Sequence, residues 1–159
     1  MIKESIKPKS QIPILVADDD RDDCEMIRDA FKESRLINDL HFVKDGEDLM
    51  SYLHHQGKYE DKSKYPLPGL ILLDLNMPKK DGREALKEIK GDETLRQIPV
   101  VVLTTSQAEE DVFRTYNLGV NSFITKPVAF DALVQIMKDL GRYWFEIVEL
   151  PNCNVERRK

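Results

Sequence analysis

Side chains capable of metal and phosphate chemistry follow four short apolar runs of this chain, at the point where each run ends. In chain order they are Asp18, Asp19, Asp20, Asp74, Asn76, Thr104, Thr105 and Lys126. Carboxylate oxygens are the ligands that hard divalent cations prefer, and an ammonium group binds phosphate as a point charge. If the fold brings these run ends together, the chemistry that they predict is transfer of phosphate with a bound metal ion.

Asp74 is the candidate nucleophile, because a carboxylate can attack phosphorus and form an aspartyl phosphate. Closely packed carboxylates repel one another, and a divalent cation, Mg²⁺ or else Mn²⁺, held by Asp18, Asp19 and Asp74 would relieve the repulsion. Lys126 can pair with Asp74 at rest and with a phosphoryl oxygen afterwards. Thr104 offers a hydroxyl group to the new phosphate.

The apolar runs alternate with segments of helical period. The runs cover residues 12–17, 40–43, 70–75, 100–104 and 122–125. This alternation predicts an α/β domain with a doubly wound, five-stranded parallel sheet. With the strand order 2-1-3-4-5, the reversal of strand order falls between strands one and three, so Asp18 and Asp19 lie beside Asp74.

Composition and charge limit the class of protein. A chain of 159 residues is the length of one domain, and its net charge of −5 argues against binding to nucleic acid. No apolar stretch approaches the roughly 20 residues that a membrane helix needs, and the start resembles no signal peptide. We expect a cytoplasmic protein with reduced cysteines, a flexible segment at 1–11, a domain at 12–150 and a polar tail at 151–159.

The connection 57–69 is predicted to be an exposed loop. The last helix is predicted to continue past Gly141, and its continuation has an apolar face. An exposed apolar face favours a homodimer, although the extra turns can instead fold back on the domain. The candidate interface residues are Phe113, Tyr116, Phe130, Tyr143, Trp144, Ile147 and Leu150.

Four motifs together resemble the response-regulator receiver domain of two-component signalling. They are ILVADDD, LILLDLNMPKKDG, IPVVVLTTS and GVNSFITKP, in the order and spacing of that family over about residues 12–141. The resemblance implies the flavodoxin-like receiver fold and phosphorylation of Asp74. It implies that Asp19 binds the metal directly and Asp18 largely through water, and that Asn76 binds it through the backbone carbonyl.

The same resemblance assigns the phosphate-binding and switch positions. Thr104 and Phe123 would be the switch pair, with Thr105 beside them, and Lys126 would hold the phosphate, with a cis bond to Pro127 helping. NSFITKP, the long connection 57–69 and FDALVQIMKDLGRYWFEIVELP resemble the single-domain regulators that partner phytochrome-type kinases in cyanobacteria. A signalling protein with slow autodephosphorylation is expected, rather than an enzyme acting on other molecules.

Three other functions remain as alternatives. A Mg²⁺-dependent phosphatase with an aspartate nucleophile would use Asp18 and Asp20, but Asp22 occupies a position where such enzymes want Thr or Val. A flavodoxin-like FMN carrier needs a phosphate loop after strand one, and the acidic residues there would repel phosphate. A degenerate receiver that acts only as a docking protein is disfavoured because every site residue type is present.

Overall fold

The computed structural model of the chain describes residues 12–105, 108–147 and 150, except for the side chains of 109, 110, 113 and 147. The segments predicted at 1–11 and 151–159 lie outside the described residues, so the predicted domain boundaries stay a prediction. Within the described part, no helix has the length and apolar character needed to cross a membrane.

A parallel sheet of five strands forms the centre of the fold. The strands are β1 (Ile14–Ala17), β2 (Leu40–Val43), β3 (Leu70–Leu73), β4 (Val100–Thr104) and β5 (Ser122–Thr125). Their order is β2-β1-β3-β4-β5, with every neighbouring pair parallel. The predicted doubly wound α/β fold and its strand order are confirmed.

Helices cover both faces of this sheet. They are α1 (Arg21–Glu33), α2 (Gly46–Leu53), α3 (Gly82–Gly91), α4 (Glu109–Leu118) and α5 (Phe130–Arg142). Alternate residues of β3 enter opposite cores: Ile71 packs in the layer that contains α2 and α3, and Leu72 in the layer that contains α1 and α5. Burial on both faces explains why β3 and β4 are continuously apolar in sequence.

The turn from β3 into α3 fixes the chain immediately after Asp74. Asp81 caps α3 by accepting from the backbone of Arg83 and Glu84, and the Glu84 side chain accepts from the Asp81 N–H in return. A Cβ atom at Gly82 would lie 2.3 Å from the Asp74 carbonyl oxygen. Glycine therefore permits a backbone approach that no other residue allows.

The connection 57–69 differs from the exposed loop predicted for it. It contains a 3₁₀ turn, Gly57–Tyr59, and the Tyr59 side chain is buried. The Tyr59 ring lies 5.1 Å from that of Tyr52 and 4.9 Å from that of Tyr65, and its hydroxyl donates to Asp48 Oδ1 at 2.7 Å. The polar composition of the segment predicted exposure, but the rings of Tyr59 and Tyr65 pack against Tyr52 of α2.

The chain does continue past Gly141: α5 ends at Arg142, and a π-helical turn, Tyr143–Ile147, follows it directly. Trp144 and Phe145 are each 7 % exposed and pack in the layer that contains α1 and α5. The premise that Trp144 lies on an exposed face is therefore wrong. Its indole Nε1 is buried without a hydrogen-bond partner among the described residues, and the contacts that those residues make with Trp144 are apolar and aromatic packing.

Candidate functional site

The carboxyl ends of β1 and β3 bring three carboxylates together. Ala17 pairs with Leu73 in the parallel register, and the Asp74 N–H donates to the Ala17 carbonyl oxygen at 2.9 Å. One carboxylate oxygen from each of Asp18, Asp19 and Asp74 lies within 4.8 Å of the others. Asp18 and Asp74 are buried, whereas Asp19 is exposed. We call these three residues the acid cluster.

Within the acid cluster, Asp18 and Asp19 have different surroundings. Asp18 accepts from the Asp20 N–H at 2.9 Å through Oδ1 and from Lys126 Nζ at 2.7 Å through Oδ2. Burial raises the pKa of Asp18 to about 6; Lys126 opposes this rise, and the charge of Asp74 adds to it. Asp19 accepts no hydrogen bond within the described part of the chain, so its carboxylate is open to an incoming cation.

The Lys126 side chain places a positive charge beside the acid cluster. Its Nζ lies 2.7 Å from Asp18, 2.8 Å from Asp23 and 3.7 Å from Asp74, and its side chain is 7 % exposed. Burial alone would lower its pKa, but the hydrogen bonds to Asp18 and Asp23 outweigh burial and raise the pKa above the ordinary value. One buried ammonium group thus faces three carboxylates and leaves them incompletely neutralised.

Asp23 belongs to this site, although the sequence analysis did not select it. It lies in the first turn of α1, where an acidic residue is also expected simply because it stabilises the helix start. The sequence did carry a sign of this role, because Asp23 comes three residues after the helix cap Asp20. That spacing places Asp23 one turn into α1, at the same edge of the sheet as the acid cluster.

Asp20 has a structural role instead. Its carboxylate caps α1 by accepting from the backbone N–H groups of Asp22 and Asp23 at 2.8 and 3.2 Å. Asp20 is exposed and is not a member of the acid cluster. This capping role argues against the phosphatase alternative, which needs Asp20 as a catalytic acid.

Thr104 approaches the phosphoacceptor candidate from β4. It is fully buried, and its hydroxyl donates to Asp74 Oδ1 at 2.8 Å, the same oxygen that accepts from the Asn76 N–H at 3.2 Å. The Lys126 N–H donates to the Thr104 carbonyl oxygen at 2.7 Å, which joins the ends of β4 and β5. The structure therefore brings Thr104 and Lys126 to Asp74, as the spacing predicted.

The remaining predicted positions surround this centre. Asn76 and Thr105 are exposed, and Phe123 is half-buried against the layer that contains α2 and α3. The Phe123 N–H donates to the Tyr116 hydroxyl of α4 at 3.2 Å. The peptide bond between Lys126 and Pro127 is trans, so the expected cis bond is wrong. The switch and phosphate-binding roles of these residues stay predictions.

A cleft of about 490 Å³ opens beside Asp18 and Asp19. It lies between α1, β2 and the turn Gly57–Tyr59, and its basic lining residues are Arg21, Arg28, Lys44 and Lys58. A ligand can therefore reach the acid cluster from solvent past a rim that includes positive charges.

The predicted dimer residues separate into three groups. Tyr116 and Tyr143 are each 49 % exposed and Phe130 is 36 % exposed. Trp144 is buried, and Leu150 is half-buried against the same layer. The side chains of Phe113 and Ile147 lie outside the described residues. Only Tyr116, Phe130 and Tyr143 therefore present the exposed aromatic surface on which the dimer prediction depended.

The acid cluster fits a hard divalent cation. All its side-chain donors are carboxylate oxygens, two of them are buried, and Lys126 alone compensates their charge within the described residues. An oxygen-only set with few protein ligands is typical of Mg²⁺, which keeps several waters.

Comparison with known proteins identifies the family. The model of the response regulator receiver domain matches residues 14–138. Response regulator Rcp1 of Synechocystis sp. (strain PCC 6803) is 43% identical over 151 residues, which cover 95% of this chain and 99% of Rcp1. The crystal structure of the phosphorylated cyanobacterial phytochrome response regulator RcpA is 43% identical, with a TM-score of 0.83 over 89% of this chain and 99% of that chain. The Mn²⁺-bound form of Rcp1 is 42% identical, with a TM-score of 0.80 and the same coverage. The chain belongs to the response regulator receiver domain family.

Proposed function

We propose that this chain accepts a phosphoryl group on Asp74 from a sensor histidine kinase, with Mg²⁺ or Mn²⁺ bound at the acid cluster. One observation carries the proposal: the buried Asp74 carboxylate lies among Asp18 and Asp19 and is contacted by Thr104 and Lys126. Asp74 therefore adjoins both the acid groups that can hold a metal and the two groups, Thr104 and Lys126, that can bind a phosphate.

In the proposed transfer, a carboxylate oxygen of Asp74 attacks phosphorus and forms an O–P bond. The P–N bond of the donor phosphohistidine breaks, and its electron pair returns to the imidazole nitrogen. Asp18, Asp19 and the Asn76 carbonyl would hold the metal, which supplies positive charge to the transferred group. Lys126 is close enough to bind a phosphoryl oxygen, and the Thr104 hydroxyl, now donating to Asp74, can donate to another.

Phosphorylation would change the surface of the protein because it adds negative charge at Asp74. The aspartyl phosphate carries about two negative charges near neutral pH where the carboxylate carried one, and its phosphoryl oxygens draw the Thr104 hydroxyl and Lys126 toward them. Phe123 then changes position, and the hydrogen bond from its N–H to Tyr116 links that change to α4. The surface formed by α4, β5 and α5 shifts between two states, and slow hydrolysis of the phosphate resets it.

The kinase is proposed to be of the phytochrome type and to act in the cytoplasm, where ATP is available to it. The support is the similarity to Rcp1 and to the phytochrome response regulator RcpA. In a direct test, a phytochrome-type kinase labelled with ³²P on its histidine is mixed with the chain and Mg²⁺. We expect the label to move to the chain within minutes and to be released by hydroxylamine, as an acyl phosphate is. Equal transfer from an unrelated sensor kinase would contradict the partner assignment.

A homodimer is proposed on the basis of the exposed aromatic residues Tyr116, Phe130 and Tyr143. Truncation after Gly141 is unsuitable as a test, because it also removes Trp144 from the core. We expect Tyr143→Ser to weaken self-association about tenfold or more in sedimentation velocity, because aromatic residues dominate interface energies. Ile37→Ser removes an apolar side chain that is more exposed, at 66 %, and lies outside the predicted interface, so it serves as the control. A wild type that stays monomeric at every concentration contradicts the proposal.

A further inference from the structure

Arg83 makes a contact between α3 and α4 that lies outside the acid cluster. Its guanidinium group binds the Asp111 carboxylate through two parallel hydrogen bonds, Nε to Oδ1 and Nη2 to Oδ2, each of 2.7 Å. Arg83 is the second residue of α3, and Asp111 is the third of α4. The Asp111 side chain is 12 % exposed and that of Arg83 is 24 % exposed, so this charge-assisted pair is only partly open to water.

The third nitrogen of the same guanidinium group faces the loop that follows Asp74. Arg83 Nη1 lies 3.4 Å from the Leu75 carbonyl oxygen and, at the same distance, from Asp81 Oδ2 of the α3 cap. The Leu75 carbonyl oxygen also accepts from the Gly82 N–H at 2.9 Å. The next N–H, that of Asn76, donates to Asp74 Oδ1. The peptide group between Leu75 and Asn76 is thus held at its oxygen by Gly82 and Arg83, and at its nitrogen by the phosphoacceptor carboxylate.

We infer that Arg83 is a positioning residue, which orients the Leu75–Asn76 peptide for metal binding and connects that peptide to α4 through Asp111. This inference rests on the proposed function, in which the carbonyl immediately after this peptide, that of Asn76, is a metal ligand. Groups outside the ligand shell commonly set metal affinity by orienting the ligands. Only a planar fork of several N–H donors can hold a carboxylate with two bonds and face a carbonyl with a third nitrogen, and lysine lacks that fork.

Charge and geometry predict opposite results for removal of Arg83. A positive charge near the acid cluster repels a cation, so its loss by Coulomb's law alone should tighten metal binding. If Arg83 acts by orienting the loop, its loss should weaken metal binding instead, by about tenfold or more as for other outer groups of metal sites. The sign of the change therefore separates the two explanations.

The test is a titration of the full chain with Mn²⁺, followed by electron paramagnetic resonance, for Arg83→Met and Arg83→Lys. Weaker binding in both variants, together with faster hydrogen exchange at residues 75–77, supports the inference. Lys87→Met, an exposed residue one turn later on α3, makes the same charge change and should bind Mn²⁺ as the wild type does or slightly more tightly. If Arg83→Met is too unstable to assay, Arg83→Lys keeps the charge and decides the question alone.

Mn²⁺ binding that is unchanged or tighter in both Arg83 variants overturns the inference, as does exchange that rises uniformly along the chain. The readout does not require phosphorylation. A wild type that binds Mn²⁺ but never gains a phosphoryl group would reject the proposed function, while the Arg83 result would still stand or fall on metal affinity.

Discussion

Replacing Asp74 by asparagine should abolish the Mg²⁺-dependent modification of the chain by acetyl phosphate and its binding of beryllofluoride. The loss is expected to be complete, because an amide provides no carboxylate oxygen to form the O–P bond. Asparagine preserves the size of the side chain and can still accept from the Thr104 hydroxyl, so the fold should be maintained. Phosphate incorporation is measured by mass spectrometry of the intact chain, and beryllofluoride binding by ¹⁹F nuclear magnetic resonance.

Asp20→Asn is the matched control for this experiment. It removes one carboxylate two residues away from Asp18, but asparagine caps helices as well as aspartate does, and Asp20 is not in the acid cluster. We expect this variant to be modified at a rate close to that of the wild type. If the wild type gains no Mg²⁺-dependent modification, or if Asp74→Asn gains as much as the wild type, the assignment of Asp74 is wrong.

The sequence predicted the centre of this site because parallel strands present their carboxyl ends at one edge. Once residues 12–17 and 70–75 are taken as neighbouring strands, Asp18 and Asp74 must lie side by side, and the structure pairs Ala17 with Leu73 accordingly. Thr104 and Lys126 follow from the same rule on β4 and β5. These positions depend on the strands, which are visible in the pattern of apolar residues, and on the strand order, which is one of the common orders of doubly wound sheets.

Features that depend on how helices pack were not predictable in this way. The apolar spacing of Trp144 is the same whether that face meets solvent, a second chain or α1, and only tertiary packing decides among them. The pairing of Arg83 with Asp111 requires the register between α3 and α4, which no local pattern specifies. Asp23 looked like an ordinary acidic residue at a helix start, because the helix dipole alone accounts for its charge.

The second large effect concerns Lys126, whose replacement by methionine leaves the surrounding carboxylates uncompensated. Removing one partner of a buried ion pair typically costs about 3 kcal/mol or more in the free energy of unfolding. The Lys126 side chain is 7 % exposed and contacts Asp18 and Asp23 directly, so solvent screening is small. With a urea dependence of about 1–3 kcal/mol/M, we expect Lys126→Met to lower the urea midpoint by about 1–3 M in the absence of metal.

Magnesium should restore part of that loss, because the cation neutralises the same carboxylates and is no longer repelled by the ammonium group. A ligand that binds only the folded state stabilises it more when its affinity is higher. The stability difference between wild type and Lys126→Met should therefore narrow by about 1 kcal/mol or more at saturating Mg²⁺. The control is Lys90→Met. Lys90 is also partly buried, but it donates to the carbonyls of Arg96 and Ile98 instead of to carboxylates. The difference in free energy of unfolding between Lys90→Met and the wild type should not depend on Mg²⁺. A Lys126→Met deficit that is the same with and without Mg²⁺ would mean that the metal and Lys126 do not share the acid cluster.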